Sequence, residues 1–256
     1  MHADLALPAS TLYAFALVLA RMSGLFIFLP LPGVSNGPAP ARVVLSLAAT
    51  LTLASRWPVV PSPSGVGQLF GWMLAELALG LCVGLAVSFL IEAFLMATQL
   101  VSVQAGFSYA STVDPTTLAD STVLIVIAQL GAALLFFATG LDRQVLVTLA
   151  NSLQAHPPGT FELARPNVEA LLSLGSGVFT TGFRLVLPLL TLLFLVDISL
   201  GLLGRLNAQL QVLTLALPLK LLLALAVLSW SVLLFPPVFT RLSGTIFGVL
   251  HRVLGV

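Results

Sequence analysis

Residues 66–104 read VGQLF GWMLAELALG LCVGLAVSFL IEAFLMATQL VSVQ, an apolar run with no proline. At a rise of about 1.5 Å per residue this is about 60 Å of helix, twice the roughly 30 Å of a bilayer's hydrocarbon core. Such a segment either breaks or projects beyond the membrane. Glu76, Gly80 and Gly84 recur at every fourth position and so share one helical face. The Gly-x-x-x-Gly pair on that face lets a second backbone approach closely, so the three residues read as a packing seam with a polar anchor. The fold this predicts is an all-α membrane protein.

The chain on either side repeats the pattern. Upstream, an apolar stretch runs from Thr11 to Leu29, interrupted by Arg21, and stops at a turn carrying Pro30, Pro32, Gly33, Gly37, Pro38 and Pro40. A shorter segment, Arg42 to Trp57, is closed by Pro58, Pro61 and Pro63, and the two together read as an apolar helical hairpin. Downstream, Gln104 to Asp120 is small, polar, interrupted by Pro115 and free of Lys and Arg, hence a loop. Ser121 to Leu141 is uncharged and long enough to span. Asp142 to Phe183, with Pro157, Pro158, Gly159 and Pro166 in its centre, reads as an amphipathic hairpin or loop. Two more hydrophobic segments, Arg184 to Arg205 and Val212 to Phe235, are separated by the polar stretch Asn207 to Gln211. An amphipathic piece with Arg241, His251 and Arg252 closes the chain. This gives about six hydrophobic segments with Pro and Gly breaks, and a single domain over 1–256.

Composition agrees and removes whole classes of function. Of the 256 residues 59% are hydrophobic and 7% charged, with a mean hydropathy of +1.12, whereas soluble domains carry about a quarter charged residues. Ten Lys and Arg against nine Asp and Glu provide no basic surface for nucleic acid. Cys82 is the only cysteine, which rules out an intrachain disulfide and a thiolate cluster, and its place in an apolar run suits a small buried filler. No Lys or Arg precedes Arg21, so the first apolar segment lacks the basic start of a secretory signal and is expected to stay in the mature protein. On a six-span count Arg56, Arg143, Arg165, Arg184, Arg241 and Arg252 fall on the side of both termini, opposite Arg42 and Arg205, which predicts cytoplasmic termini.

Charges deep in apolar segments are the most informative residues, because each costs roughly 2.5 to 3.5 kcal/mol at a helix centre. Arg21, Glu76, Asp197 and Lys220 qualify. A relay would place several carboxylates or histidines along one path; these are scattered, which favours hydrogen-bonded pairs at helix interfaces. Asp197, Gly201, Gly204 and Arg205 fall on one side of their helix and read as a second packing seam. His2, His156 and His251 show no metal-ligand spacing, and neither a nucleophile elbow nor a phosphate loop is present. No catalytic residue, metal or cofactor is therefore expected. Pro188 and Pro218 suggest a rival reading, a secondary transporter or permease with broken helices, although its paired halves are missing. A passive membrane scaffold is a third. The loop from Gln104 to Asp120 is the stronger candidate: small residues around Phe107 can fill a passage and be displaced, although an ordinary inter-span loop explains the same composition equally well.

In order and spacing these features resemble the FliR family of flagellar type III export-gate proteins, to which an injectisome counterpart is similar. The resemblance covers essentially the whole chain. It is carried by Arg21-Met-Ser-Gly-Leu-Phe-Ile-Phe-Leu-Pro30 and Arg42, by Glu76 with Gly80 and Gly84, by Gln104-Ala105-Gly106 and by Asp114-Pro115. Further on come Pro188, Asp197, Gly201, Arg205, the stretch Asn207 to Val212 and Leu217-Pro218-Leu219-Lys220. After Arg205 the family reads Pro-Gln-x-Asn-Val; here Gln209 and Val212 match while Ala208 and Gln211 depart. The resemblance implies a non-catalytic helical-hairpin subunit in the bacterial inner membrane, at a flagellar basal body or injectisome base. It implies FliP-like and FliQ-like partners, an FlhB-like gate protein beside them, and unfolded exported proteins as cargo. It further implies a channel plug in the loop Gln104 to Thr117, involving Gln104, Gly106, Phe107, Ser108, Asp114 and Pro115, with Phe107 as stopper.

Overall fold

A computed structural model describes residues 8–29, 39–107, 123–160, 165–206, 212–231 and 235–255. These residues are almost wholly α-helical, without a strand among them. The helices are α1 Ala9–Phe28, α2 Ala39–Thr52, α3 Val66–Ala105, α4 Val123–Ala138, α5 Leu141–Ala155, α6 Arg165–Leu206, α7 Val212–Ser231 and α8 Phe235–Leu254, with one 3₁₀ turn at Ala54–Arg56. By length and composition α1, α3 and the Val168–Leu206 part of α6 can cross a membrane. The pair α4 and α5, bent by 60° at Thr139–Gly140, can count as a fourth span. Hydrophobicity alone had suggested about six segments.

The long third segment does not break: α3 is one helix of 40 residues. Three other expectations are corrected. Asp142 to Phe183 is helical on both sides of its Pro157–Gly159 turn, as the hairpin alternative has it, but it does not end at Phe183, because α5 occupies Leu141–Ala155 and α6, from Arg165, runs on to Leu206. The apolar stripe of α5, Leu141, Val145, Leu149 and Leu153, is buried at 2% exposure or less. Its polar face, with Asp142, Arg143, Gln144, Asn151 and Gln154, lowered the average that suggested a loop. Nor do Pro188 and Pro218 break their segments, since each lies inside a helix. Proline is tolerated in apolar helices where the surroundings re-satisfy the one freed carbonyl. Finally, Arg184 is not a segment end but the middle of a 42-residue helix. The count of arginines on alternate sides thereby loses one of its terms.

The chain groups into two compact units. The first comprises Met1–Phe89, Phe136–Gly175 and Leu242–Val256; the second comprises Leu90–Leu135 and Ser176–Arg241. In the first, α1 lies against α2 as the hairpin reading expected. The link after α2 is pinned by the Trp57 indole, which donates to the Thr50 carbonyl at 3.1 Å and sits 5.6 Å from the Phe15 ring. Val60, in the Pro-rich link, closes a small core with Ala14 and Leu17. In the second unit Val101, Ala105, Leu124, Val186, Leu189, Leu193 and Ala224 form one buried cluster. Beside it Phe94 meets the rings of Phe235 and Phe239 at 5.7 Å and 5.3 Å.

Candidate functional site

Among the described residues, the charges set deep in apolar helices pair at two places, one in each unit. In the first, Arg21 of α1 and Glu76 of α3 are both 0% exposed and form an ion pair, Nε to Oε2 at 2.5 Å. A buried pair loses several kcal/mol of hydration per ion, and attraction offsets this only when the remaining donors and acceptors are also matched. Here they are. Arg21 donates from its two terminal nitrogens to Ser152 Oγ and to the His156 carbonyl, both at 2.9 Å. Ser152 Oγ in turn donates to the Leu149 carbonyl at 2.7 Å, and Glu76 Oε1 accepts the Gly159 N–H at 3.2 Å.

Gly159 has φ +89°, and a Cβ there would stand 2.8 Å from the Trp72 indole. Only glycine lets the turn bring its N–H to the carboxylate. One ion pair thus ties α1, α3, the end of α5 and the following turn together.

The same face of α3 carries the glycines. A Cβ at Gly80 would collide with the Arg21 carbonyl oxygen, and one at Gly84 would stand 2.5 Å from that of Leu25. From the opposite side, a Cβ at Gly24 of α1 would collide with the Leu77 carbonyl. Sequence reasoning singled out Gly80 and Gly84 but not Gly24, which completes the three-glycine contact. Gly201, by contrast, has nothing within 4 Å of a built Cβ. Among the described residues it is open, while Gly204 is half-buried and Arg205 exposed.

In the second unit Asp197 of α6 pairs with Lys220 of α7, Oδ1 to Nζ at 2.5 Å. Gln104, in the last turn of α3, donates from its side-chain Nε2 to Asp197 Oδ2 at 3.0 Å, while its backbone carbonyl accepts from Lys220 Nζ at 3.3 Å. The side chains of Lys220 and Asp197 are 17% and 36% exposed, so this knot is wetter than the first. Three of the residues singled out along the chain therefore meet at one point.

One turn on, α3 ends in a Schellman cap. Gly106 has φ +87° and donates to the Val103 carbonyl at 3.2 Å, while Phe107 donates to the Ser102 carbonyl at 2.9 Å. Phe107 is half-buried and packs against the second unit's core cluster. Ser108, Asp114, Pro115, Gln209 and Gln211 lie outside the described residues.

Among the described residues no group of three His, Cys, Asp or Glu side chains can hold a metal. A cavity of about 550 Å³ in the second unit, lined by residues such as Phe94, Leu124, Gly131, Leu225 and Phe235, contains no titratable side chain. An enzyme pocket would bring a few polar groups together against its apolar wall.

Fold and site together define an all-helical membrane protein in which Arg21 with Glu76, and Asp197 with Lys220, hold helices to one another. A family model described as bacterial export proteins, family 1, matches residues 12–246, and the chain belongs to that family. It is similar to the flagellar biosynthetic protein FliR of Escherichia coli strain K12, with 29% identity covering 87% of this chain and 86% of the relative. The proteins of the same name from Caulobacter vibrioides and Bacillus subtilis strain 168 are 28% and 29% identical, covering 87% and 81% of this chain and 90% and 82% of theirs. The chain is accordingly a membrane component of bacterial protein export in flagellum biogenesis.

Proposed function

We propose that the chain is a core subunit of the type III export gate in the bacterial inner membrane, at the base of the flagellum. There it lines, together with FliP-like and FliQ-like chains and beside an FlhB-like protein, the passage for unfolded exported proteins. It catalyses nothing, and it contributes the plug that closes the passage at rest. The observation that carries this reading is the end of α3. A 40-residue apolar helix is stopped by Gly106 and Phe107 and delivers the chain into a polar stretch without Lys or Arg. Gln104 at that point is held by Asp197 and Lys220, so the end of α3 from which that stretch departs is anchored to two further helices.

Single expression of a tagged chain together with its neighbouring export proteins, followed by mild detergent extraction, separates the gate from its rivals. A gate subunit is recovered with two other hydrophobic membrane proteins in one stable complex. Recovery of this chain alone, or only with copies of itself, would instead point to a solute permease or a scaffold.

A further inference from the structure

An α-helix leaves its last four carbonyls without partners of its own. In α3 these belong to Ser102, Val103, Gln104 and Ala105. The Schellman cap answers the first two, through the N–H groups of Phe107 and Gly106. The third is answered from another helix, because Lys220 of α7 donates to the Gln104 backbone carbonyl at 3.3 Å. Helix C-termini favour a cation, yet the last turn of α3 has no basic residue. Lys220 supplies that charge from outside. Asp197 of α6 holds it there, one carboxylate oxygen pairing with Lys220 and the other accepting from Gln104 Nε2 at 3.0 Å. The three residues close a ring in which every contact supports the cap.

This ring is far easier to break than the knot around Arg21. There both ions are 0% exposed, so parting them leaves charges without water. Lys220 and Asp197 are 17% and 36% exposed, and water can replace each contact as it opens. Pro188 precedes Asp197 within α6 and Pro218 precedes Lys220 within α7, and each removes a backbone hydrogen bond from the helix that carries the charge. Beyond Asp197, α6 has little packing to resist a swing: Ile198, Leu202 and Leu203 are about half exposed, and Gly201 is open among the described residues.

We propose that Gln104, Asp197 and Lys220 form a latch. Closed, it caps α3 and holds that helix end against α6 and α7. Open, it lets the end move aside while cargo crosses. The inference rests on the reading of this chain as lining the passage.

Its test uses the full chain expressed with its neighbouring export proteins. Lys220→Met and Asp197→Asn should each raise ion leakage through the resting complex by about tenfold, the shift in a closed-to-open ratio that loss of one charge-assisted hydrogen bond allows, with the amount of complex unchanged. Asp197→Lys combined with Lys220→Asp pairs the charges again but sets a carboxylate, which has no proton to donate, against the Gln104 backbone carbonyl. That exchange should leak as the single variants do. A tight exchanged pair would show a plain helix-to-helix ion pair and overturn the latch, as would loss of the complex in the single variants or unchanged leakage in all three. Locking supplies the converse. With Cys82→Ala, Gln104→Cys and Asp197→Cys, a short reducible thiol crosslinker across positions 104 and 197 should stop export, and reduction should restart it. Full export with the two positions joined would also overturn the proposal. Recovery of the unaltered chain without any other export protein would remove the gate reading and the latch with it, whereas tight variants in a complete complex remove the latch alone.

Discussion

Arg21 stands 55 positions before Glu76, yet the two side chains close one buried knot. The knot's strength depends on charge as much as on shape. Glu76→Gln keeps the volume and removes the negative charge, leaving the guanidinium buried without its counterion. Such a change costs about 3–5 kcal/mol. The purified variant should therefore melt well below the unaltered chain in the same detergent. Arg21→Met combined with Glu76→Met should recover only part of the loss, because Ser152, the His156 carbonyl and the Gly159 N–H lose partners that methionine cannot replace. A Glu76→Gln chain as stable as the original would show that the pair carries no net electrostatic weight. Both ions were legible in the sequence, since a charge in an apolar run announces itself. Ser152, His156 and Gly159 were not, because they lie in a stretch whose polarity resembled a loop.

At the scale of helices, α1 and α3 meet backbone to backbone. Gly24, Gly80 and Gly84 each face a carbonyl oxygen of the other helix, and a carbonyl cannot turn aside as a side chain can. Gly80→Leu with Gly84→Leu must push α1 off α3 and stretch the Arg21 to Glu76 contact with it, beyond the roughly 1–3 kcal/mol typical of overpacking. The isolated variant should lose thermal stability in detergent, and recovery of the assembled complex should fall. Gly201→Leu is the matched control, since open space surrounds that position; equal damage from the two changes would deny any special closeness between α1 and α3. Periodicity revealed the glycine face of α3 because spacing by four is a local property. It could not separate that face from the one through Gly201, which has the same local signature without a neighbour among the described residues. The boundaries of α6 were hidden for a related reason. Average hydropathy drops between Arg165 and Phe183, although the residues there continue the helix without a break.

At the scale of the whole molecule, the question is whether the end of α3 closes a passage. Deleting residues 106–112 should raise ion leakage in cells that express the complete set of export membrane proteins. The deletion also removes the Schellman cap, however, because Gly106 and Phe107 supply its two backbone donors. Leakage from that variant alone would be ambiguous between a lost plug and a frayed helix. Replacing residues 108–112 with glycine and serine of equal length keeps the cap, the Phe107 contact and the hold of Asp197 and Lys220 on Gln104. A plug requires both variants to leak, because the side chains beyond the cap must fill the passage. Leakage from the deletion only would assign closure to the capped helix end. Unchanged conductance in both would remove the closing role from this segment altogether.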